Sequence, residues 1–183
     1  LHWMLNTYVP VALPEGCWLL ADDHLGQEGA FPMLKELAVH QGLEADLFEL
    51  RKHETGKPYG VIGDRIIGVS ISHCRSMLVC GLHASGEIGI DVEQDRRRVH
   101  PRLQERIRHP DEQSGLPDDL CCIRMWTIKE AALKYMGTGL RVAMNKIRLD
   151  MTDELQFQAI IGPDRIAITS FPFRGHWIAV AAN

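Results

Sequence analysis

Two stretches of this chain, Val69 to Leu82 and Ile168 to Ala181, follow one plan: a strand, a short bend, then a returning strand, with a serine just before the bend. A repeated supersecondary unit restricts the fold to a duplicated build, because each unit leaves an apolar face that its counterpart can cover. In this comparison Ser72 pairs with Ser170 and His73 with Phe171, so the halves share a build and differ in chemistry. The expected fold is α+β, two similar α/β lobes in one chain related by a pseudo-twofold, with the site in the cleft between them. The lobes are expected at residues 1–87 and 88–183. A chain of 183 residues with 45% hydrophobic content can bury a core on that plan.

Local patterns fill in the elements. Cys17 to Ala21 reads as a strand, and Gly29 to His40 as a helix closed by Gly42, with Phe31, Leu34, Leu37 and Ala38 inward and Pro32 near its first turn. Asp46 to Leu50 reads as an edge strand. The first hairpin is expected as Ile66 to Ser72, a turn His73-Cys74-Arg75-Ser76, and Met77 to Leu82. Beyond it come a strand Gly89 to Glu93, a short helix Pro101 to Arg108, and strands at Lys146 to Leu149, Leu155 to Ile160, Arg165 to Phe171 and Trp177 to Ala182. The strongest helical signal covers Trp126 to Gly137. Pro117-Asp118-Asp119 offers its N-cap and Gly137 its left-handed C-cap, which predicts roughly five turns.

The charged residues on these elements share faces. Glu130 and Lys134 lie four apart, off the stripe of Ile128, Ala132 and Tyr135. Taken alone they read as an exposed ion pair. On the strand, Ile90 and Val92 face the core while Asp91 and Glu93 project together from the other side. Two such carboxylates repel unless water or a cation relieves them, and hard oxygen ligands suit Mg²⁺ or Mn²⁺. Either a solvated strand end or a metal site fits the pair, and Glu130 would complete the second. Gly56-Lys57-Pro58 holds Lys57 on a stiff loop, an ordinary turn or a place where a cation and free N–H groups meet a phosphate. His73, at its bend, either caps the turn or donates to a phosphate.

A net charge of -4 and a pI near 6.1 argue against a nucleic-acid binder, apart from the local run of six arginines between Arg96 and Arg108. The five cysteines form no C-x-x-C pair and read as reduced thiols. No apolar run has the length of a membrane span, and the first residues lack the basic start and apolar core of a secretory signal. A cytoplasmic protein without membrane or nucleic-acid partners is expected.

Taken in order, Gly56-Lys57-Pro58, Ser72-His73, Gly89-Ile90-Asp91-Val92-Glu93 and Trp126-Thr127-Ile128-Lys129-Glu130-Ala131-Ala132-Leu133-Lys134 resemble the motif series of phosphopantetheinyl transferases. The two-lobed, surfactin-synthetase-activating type is the nearest pattern. The resemblance implies transfer of the phosphopantetheine arm of coenzyme A to a serine of an apo acyl or peptidyl carrier protein, releasing adenosine 3′,5′-bisphosphate. It implies Mg²⁺, or Mn²⁺, on Asp91, Glu93 and Glu130, with Glu130 as general base. Lys134 and His73 would neutralise pyrophosphate charge, and Lys57, Ser72, His73, Lys129 and Lys134 would bind coenzyme A. The arginines from Arg96 to Arg108 either dock the acidic helix of such a carrier or form a solvated basic face. In one respect the chain departs from the pattern. Family members carry lysines or arginines on and before the first-lobe helix to clamp the 3′-phosphate, whereas Gly26 to Gly42 offers only Lys35 against Glu28 and Glu36. Either Arg51, Lys52 or Arg75 replaces that clamp, or coenzyme A is held weakly. The competing readings are a Mg²⁺-dependent phosphohydrolase using the same carboxylates, and a degenerate family member that binds carrier protein without catalysis.

Overall fold

A computed structural model describes residues 3–4, 12–23, 26–113 and 120–183. The first lobe is an antiparallel sheet of six strands: β1 (Trp3–Met4), β2 (Cys17–Asp22), β3 (Phe48–Lys52), β4 (Pro58–Ile62), β5 (Arg65–Cys74) and β6 (Met77–His83). Their spatial order is β1-β2-β6-β5-β4-β3. Helix α1 (Ala30–His40) covers one face of this sheet. The second lobe orders its strands β7 (Ile88–Gln94), β11 (His176–Ala182), β10 (Asp164–Phe173), β9 (Gln156–Ile161) and β8 (Arg148–Met151), all antiparallel. Helices α2 (Pro101–Ile107) and α3 (Cys122–Met136) belong to it.

The period-2 alternation of each strand explains the layering. Along β2, Cys17, Leu19 and Ala21 point one way and Leu20 the other. Along β7, Ile88, Ile90 and Val92 share the first of these clusters, and Ile178, Val180 and Ala182 of β11 join them. The two sheets therefore pack face to face through a largely apolar layer, and each presents its outer face to a helix. Helix, sheet, sheet and helix form four layers, the two-lobed build expected from the repeat.

Several details differ from the sequence reading. Strand β5 runs on through Cys74, so His73 lies within the strand and only Arg75 and Ser76 make the bend. Arg174 and Gly175 make the matching bend of the second hairpin, which pairs Ser72 with Phe171 instead of Ser170. The burial agrees, since Phe171 lies in the layer between the sheets, the side that Ser72 faces. Phe31 is 42% exposed. The buried stripe of α1 is Ala30, Met33, Leu34, Leu37 and Ala38, and Phe31 sits one helical step off it, against Phe48.

Helix α3 has 15 residues, beginning with Cys121 Sγ accepting the Arg124 N–H and ending at Gly137 with φ 68. The expected N-cap, Pro117-Asp118-Asp119, lies outside the described residues. Burial covers more than the predicted stripe: Met125, Thr127, Lys129 and Leu133 are buried along with Ile128 and Ala132. The reason is that α2 and the segment around Met144 pack on the side of the helix turned away from the sheet.

Candidate functional site

Strand β7 and helix α3 place the carboxylates. Gly89 lets them approach, because a Cβ there would land on the Ala131 carbonyl and the Tyr135 nitrogen of α3. Asp91 and Glu93 follow on the same face of β7, so both turn toward the helix, as the alternation predicted. Asp91 is only 6% exposed. Its Oδ1 accepts from Lys134 Nζ at 2.8 Å and from the Ser72 hydroxyl at 2.9 Å, while Lys134 also donates to Ser72 Oγ at 2.9 Å. Asp91 Oδ2 is buried with no hydrogen-bond partner.

Two further carboxylates share this environment. Burial pushes Glu130 up from its ordinary value, and the negative charges of Asp91 and Glu93 add to the rise against the pull of Lys134. Burial likewise raises Glu93, with Arg97 opposing it and Asp91 reinforcing it. Glu93 accepts from the Arg97 guanidinium four residues on. The side chains are thus mutually coupled, although no three acidic, histidine or cysteine groups among the described residues stand arranged to hold a metal ion as they are. Hard oxygens, charge that neighbours fail to neutralise and the unpartnered Asp91 Oδ2 fit a divalent cation of the Mg²⁺ type.

A cleft opens beside this set, between the β3–β4 loop, β5 and the end of α3. Its polar part, about 310 Å³, is lined by Leu50, Lys52, Gly56, Pro58, Ile71, Ser72, His73, Asp91 and Lys134. An adjoining part of about 260 Å³ is lined mainly by small and apolar groups, with Pro58, Val69, Ile71 and Leu133 among them. Lys52 and His73 are exposed and reach this cleft from the first lobe, facing Lys134 from the second. Of the three residues named as replacements for the missing clamp, Arg51, Lys52 and Arg75, one borders this cleft. Arg51 points to the opposite face of β3 and pairs with Glu49 at 2.6 Å, Arg75 sits at the hairpin bend, and Lys52 alone of the three lines the cleft.

Two of the expected coenzyme A ligands are otherwise engaged. Lys57, whose side chain is 11% exposed, pairs with Glu87 and donates to the Tyr135 carbonyl at the end of α3. It still lines the apolar part of the cleft, so it joins the lobes and borders the pocket together. Lys129 is a correction. Its side chain and that of Glu112 are both 0% exposed, with Nζ 2.7 Å from Glu112 Oε1 and 2.6 Å from the Ile107 carbonyl. One helical step from Glu130, it turns into the core instead of the cleft. Glu112, missed in the sequence, accepts the His109 and Leu149 N–H groups as well.

The arginine run forms a surface. Arg97, Arg98, His100, Arg102 and Arg106 line a shallow groove at the end of β7 and along α2, with Val99 and Leu103 between them.

Residues 87–181 match the family model of the 4'-phosphopantetheinyl transferase superfamily. The chain is 30% identical over 131 residues to the 4'-phosphopantetheinyl transferase HetI of Nostoc sp., covering 63% of this chain and 52% of that protein. It is 29% identical over 106 residues to the 4'-phosphopantetheinyl transferase gsp of Aneurinibacillus migulanus, covering 55% of this chain and 43% of that one. The chain spans about half the length of the curated relatives it matches. The matched half holds β7 with Asp91 and Glu93, α3 with Glu130 and Lys134, and the sheet that carries them: the chain belongs to the 4'-phosphopantetheinyl transferase superfamily.

Proposed function

We infer that the chain transfers the phosphopantetheine arm of coenzyme A to a serine hydroxyl of an apo acyl or peptidyl carrier protein, releasing adenosine 3′,5′-bisphosphate. The observation that carries this reading is one cleft lined by Asp91, Lys134, Lys52 and His73, with Glu93 and Glu130 coupled electrostatically to Asp91 beside it. A pyrophosphate brings charge that needs cations on one side and, through a bound metal, on the other. Asp91, Glu93 and Glu130 would hold Mg²⁺ or Mn²⁺, which supplies positive charge against the pyrophosphate when bound.

The rest follows from the side chains. Glu130, made more basic by burial and by Asp91, takes the proton of the carrier serine as its oxygen attacks phosphorus. The bond from that phosphorus to the adenosine bisphosphate oxygen breaks, and Lys134 and His73 face the charge that leaves. Lys134 is held for this by Asp91 and Ser72, so Ser72 acts through the lysine. Lys52 lies farther along the cleft, where it would meet an outlying phosphate of the donor. The apolar part beside Pro58 and Leu133 suits a flat heterocycle. A reducing cytoplasm is the proposed setting, supported by five free thiols among the described residues.

The test is the intact mass of an apo carrier protein after incubation with this protein, coenzyme A and Mg²⁺. One added phosphopantetheine is expected. An unmodified carrier together with coenzyme A cleaved by water would assign the carboxylates to a phosphohydrolase instead.

A further inference from the structure

Arg97 belongs to two places at once. Its guanidinium donates to Glu93 Oε1 and lies over the Trp126 ring of α3, 5.9 Å from the centroid. Glu93 is 17% exposed in its side chain and Arg97 44%, so the pair bridges the carboxylate set and the open surface. On the outer side the same guanidinium lines the groove of Arg98, Arg102 and Arg106. The third carboxylate of the set is therefore held by the first arginine of the groove.

We propose that Arg97 couples the two sites: an acidic segment of the carrier protein seated in the groove draws Arg97 away from Glu93 and frees that carboxylate for the divalent cation. The carrier as partner rests on the transferase reading, whereas the competition at Glu93 rests on the contact alone. A guanidinium on Glu93 Oε1 occupies part of that carboxylate's lone-pair capacity and neutralises charge that a metal dication would draw on, and the two like charges repel at that range. Acidic side chains in the groove offer Arg97 equivalent charge-assisted pairs. Its departure would leave Asp91, Glu93 and Glu130 with Lys134 as their nearby cation, a state that a metal relieves. The Trp126 face supports the guanidinium as it moves between the two partners. Linkage makes the effect mutual, so bound metal strengthens carrier binding by the factor that carrier strengthens metal binding.

Mn²⁺ titrated into the protein alone, with free ion followed by electron paramagnetic resonance, tests the contact without any turnover. Arg97→Gln is expected to bind Mn²⁺ at least fivefold more tightly than the wild type. Arg106→Gln, which removes the same charge from the same groove without touching Glu93, is expected to stay within about twofold. Equal tightening in both variants, or none in Arg97→Gln, overturns the proposal. Calorimetric binding of apo carrier protein should be at least fivefold tighter with Mn²⁺ than with chelator in the wild type, with no such difference in Arg97→Gln. A gain from Mn²⁺ that survives in Arg97→Gln overturns the coupling. A carrier that fails to bind the wild type removes the partner together with the transferase reading, while the Mn²⁺ titration still decides the contact by itself.

Discussion

Lys129→Met removes one charge from a pair that never meets solvent. Both side chains are 0% exposed, and the ammonium lies 2.7 Å from Glu112 Oε1 with the Ile107 and Met144 carbonyls as further acceptors. Methionine fits the volume, so the loss is electrostatic. Glu112 keeps the His109 and Leu149 N–H donors, which stabilise its carboxylate only in part. Stranding one member of a buried pair costs about 3–5 kcal/mol. For a domain of this size each kcal/mol lowers Tm by roughly 2–4 °C, so the expected drop is about 6–20 °C. Glu112→Gln should cost a similar amount, and the double variant less than the sum, with a coupling of about 2 kcal/mol. Urea unfolding of the four proteins measures these quantities, and coenzyme A binding below the transition should change less than about twofold because Lys129 does not line the cleft. A stability loss under about 1 kcal/mol, or loss of coenzyme A binding with stability retained, would refute the assignment of Lys129 to the core.

Other outcomes follow from the site. Glu130→Gln should lower turnover by about 10²–10⁴ while leaving coenzyme A affinity within a few-fold; turnover near wild type at saturating metal would remove Glu130 as the base. Burial holds Glu93 and Glu130 above the ordinary glutamate value of 4.5, so the folded state binds protons there more tightly than the unfolded chain. Their contribution to stability therefore falls as pH rises through that window, and Mg²⁺ should raise Tm more above the window than below it; a pH-independent Mg²⁺ effect would separate the metal from these carboxylates. Lys52→Ala should weaken coenzyme A by about tenfold and erase any preference over 3′-dephospho-coenzyme A, whereas Arg51→Ala should do neither. Equal losses from both would show that the cleft side of β3 does not decide the contact. Arg102→Glu with Arg106→Glu should raise the carrier KM, and added salt should raise the wild-type KM toward it; indifference to both would take the groove out of carrier docking.

The period of a strand made part of this site readable. Alternation along Gly89 to Glu93 put Asp91 and Glu93 on one face without knowledge of any partner element. Helical spacing likewise placed Glu130 and Lys134 together. What escaped was set by contacts distant in sequence. Nothing around Lys129 announces Glu112, which reaches it from the short turn Pro110–Gln113 and closes over a helix that spacing alone makes one-sided. The repeat was visible but read one residue out of register, because serines before each bend were matched when the bends themselves fix the alignment. Lys52 looked equivalent to Arg51 until β3 assigned them to opposite faces. Arg124 gave no signal at all: it lies buried against Phe157 and Trp177, donating to Ser170, with partners scattered over the second sheet.

The seam between the lobes also bears on how the open edge of β7 is satisfied. β7 ends its sheet, and a terminal strand with bare N–H groups invites any passing strand to extend it. Here the Ile90 N–H donates to Ser70 Oγ at 2.8 Å and the Val92 N–H to Ser72 Oγ at 3.3 Å. A hydroxyl satisfies a donor without offering a second ladder, so the two sheets meet without fusing and a stray strand finds these positions taken. Replacing both serines with alanine would leave these two buried donors without partners. The pair thus fastens β7 to the first lobe at the place where Ser72 also meets Lys134, which ties the joining of the two sheets and the setting of that lysine to one short stretch of β5.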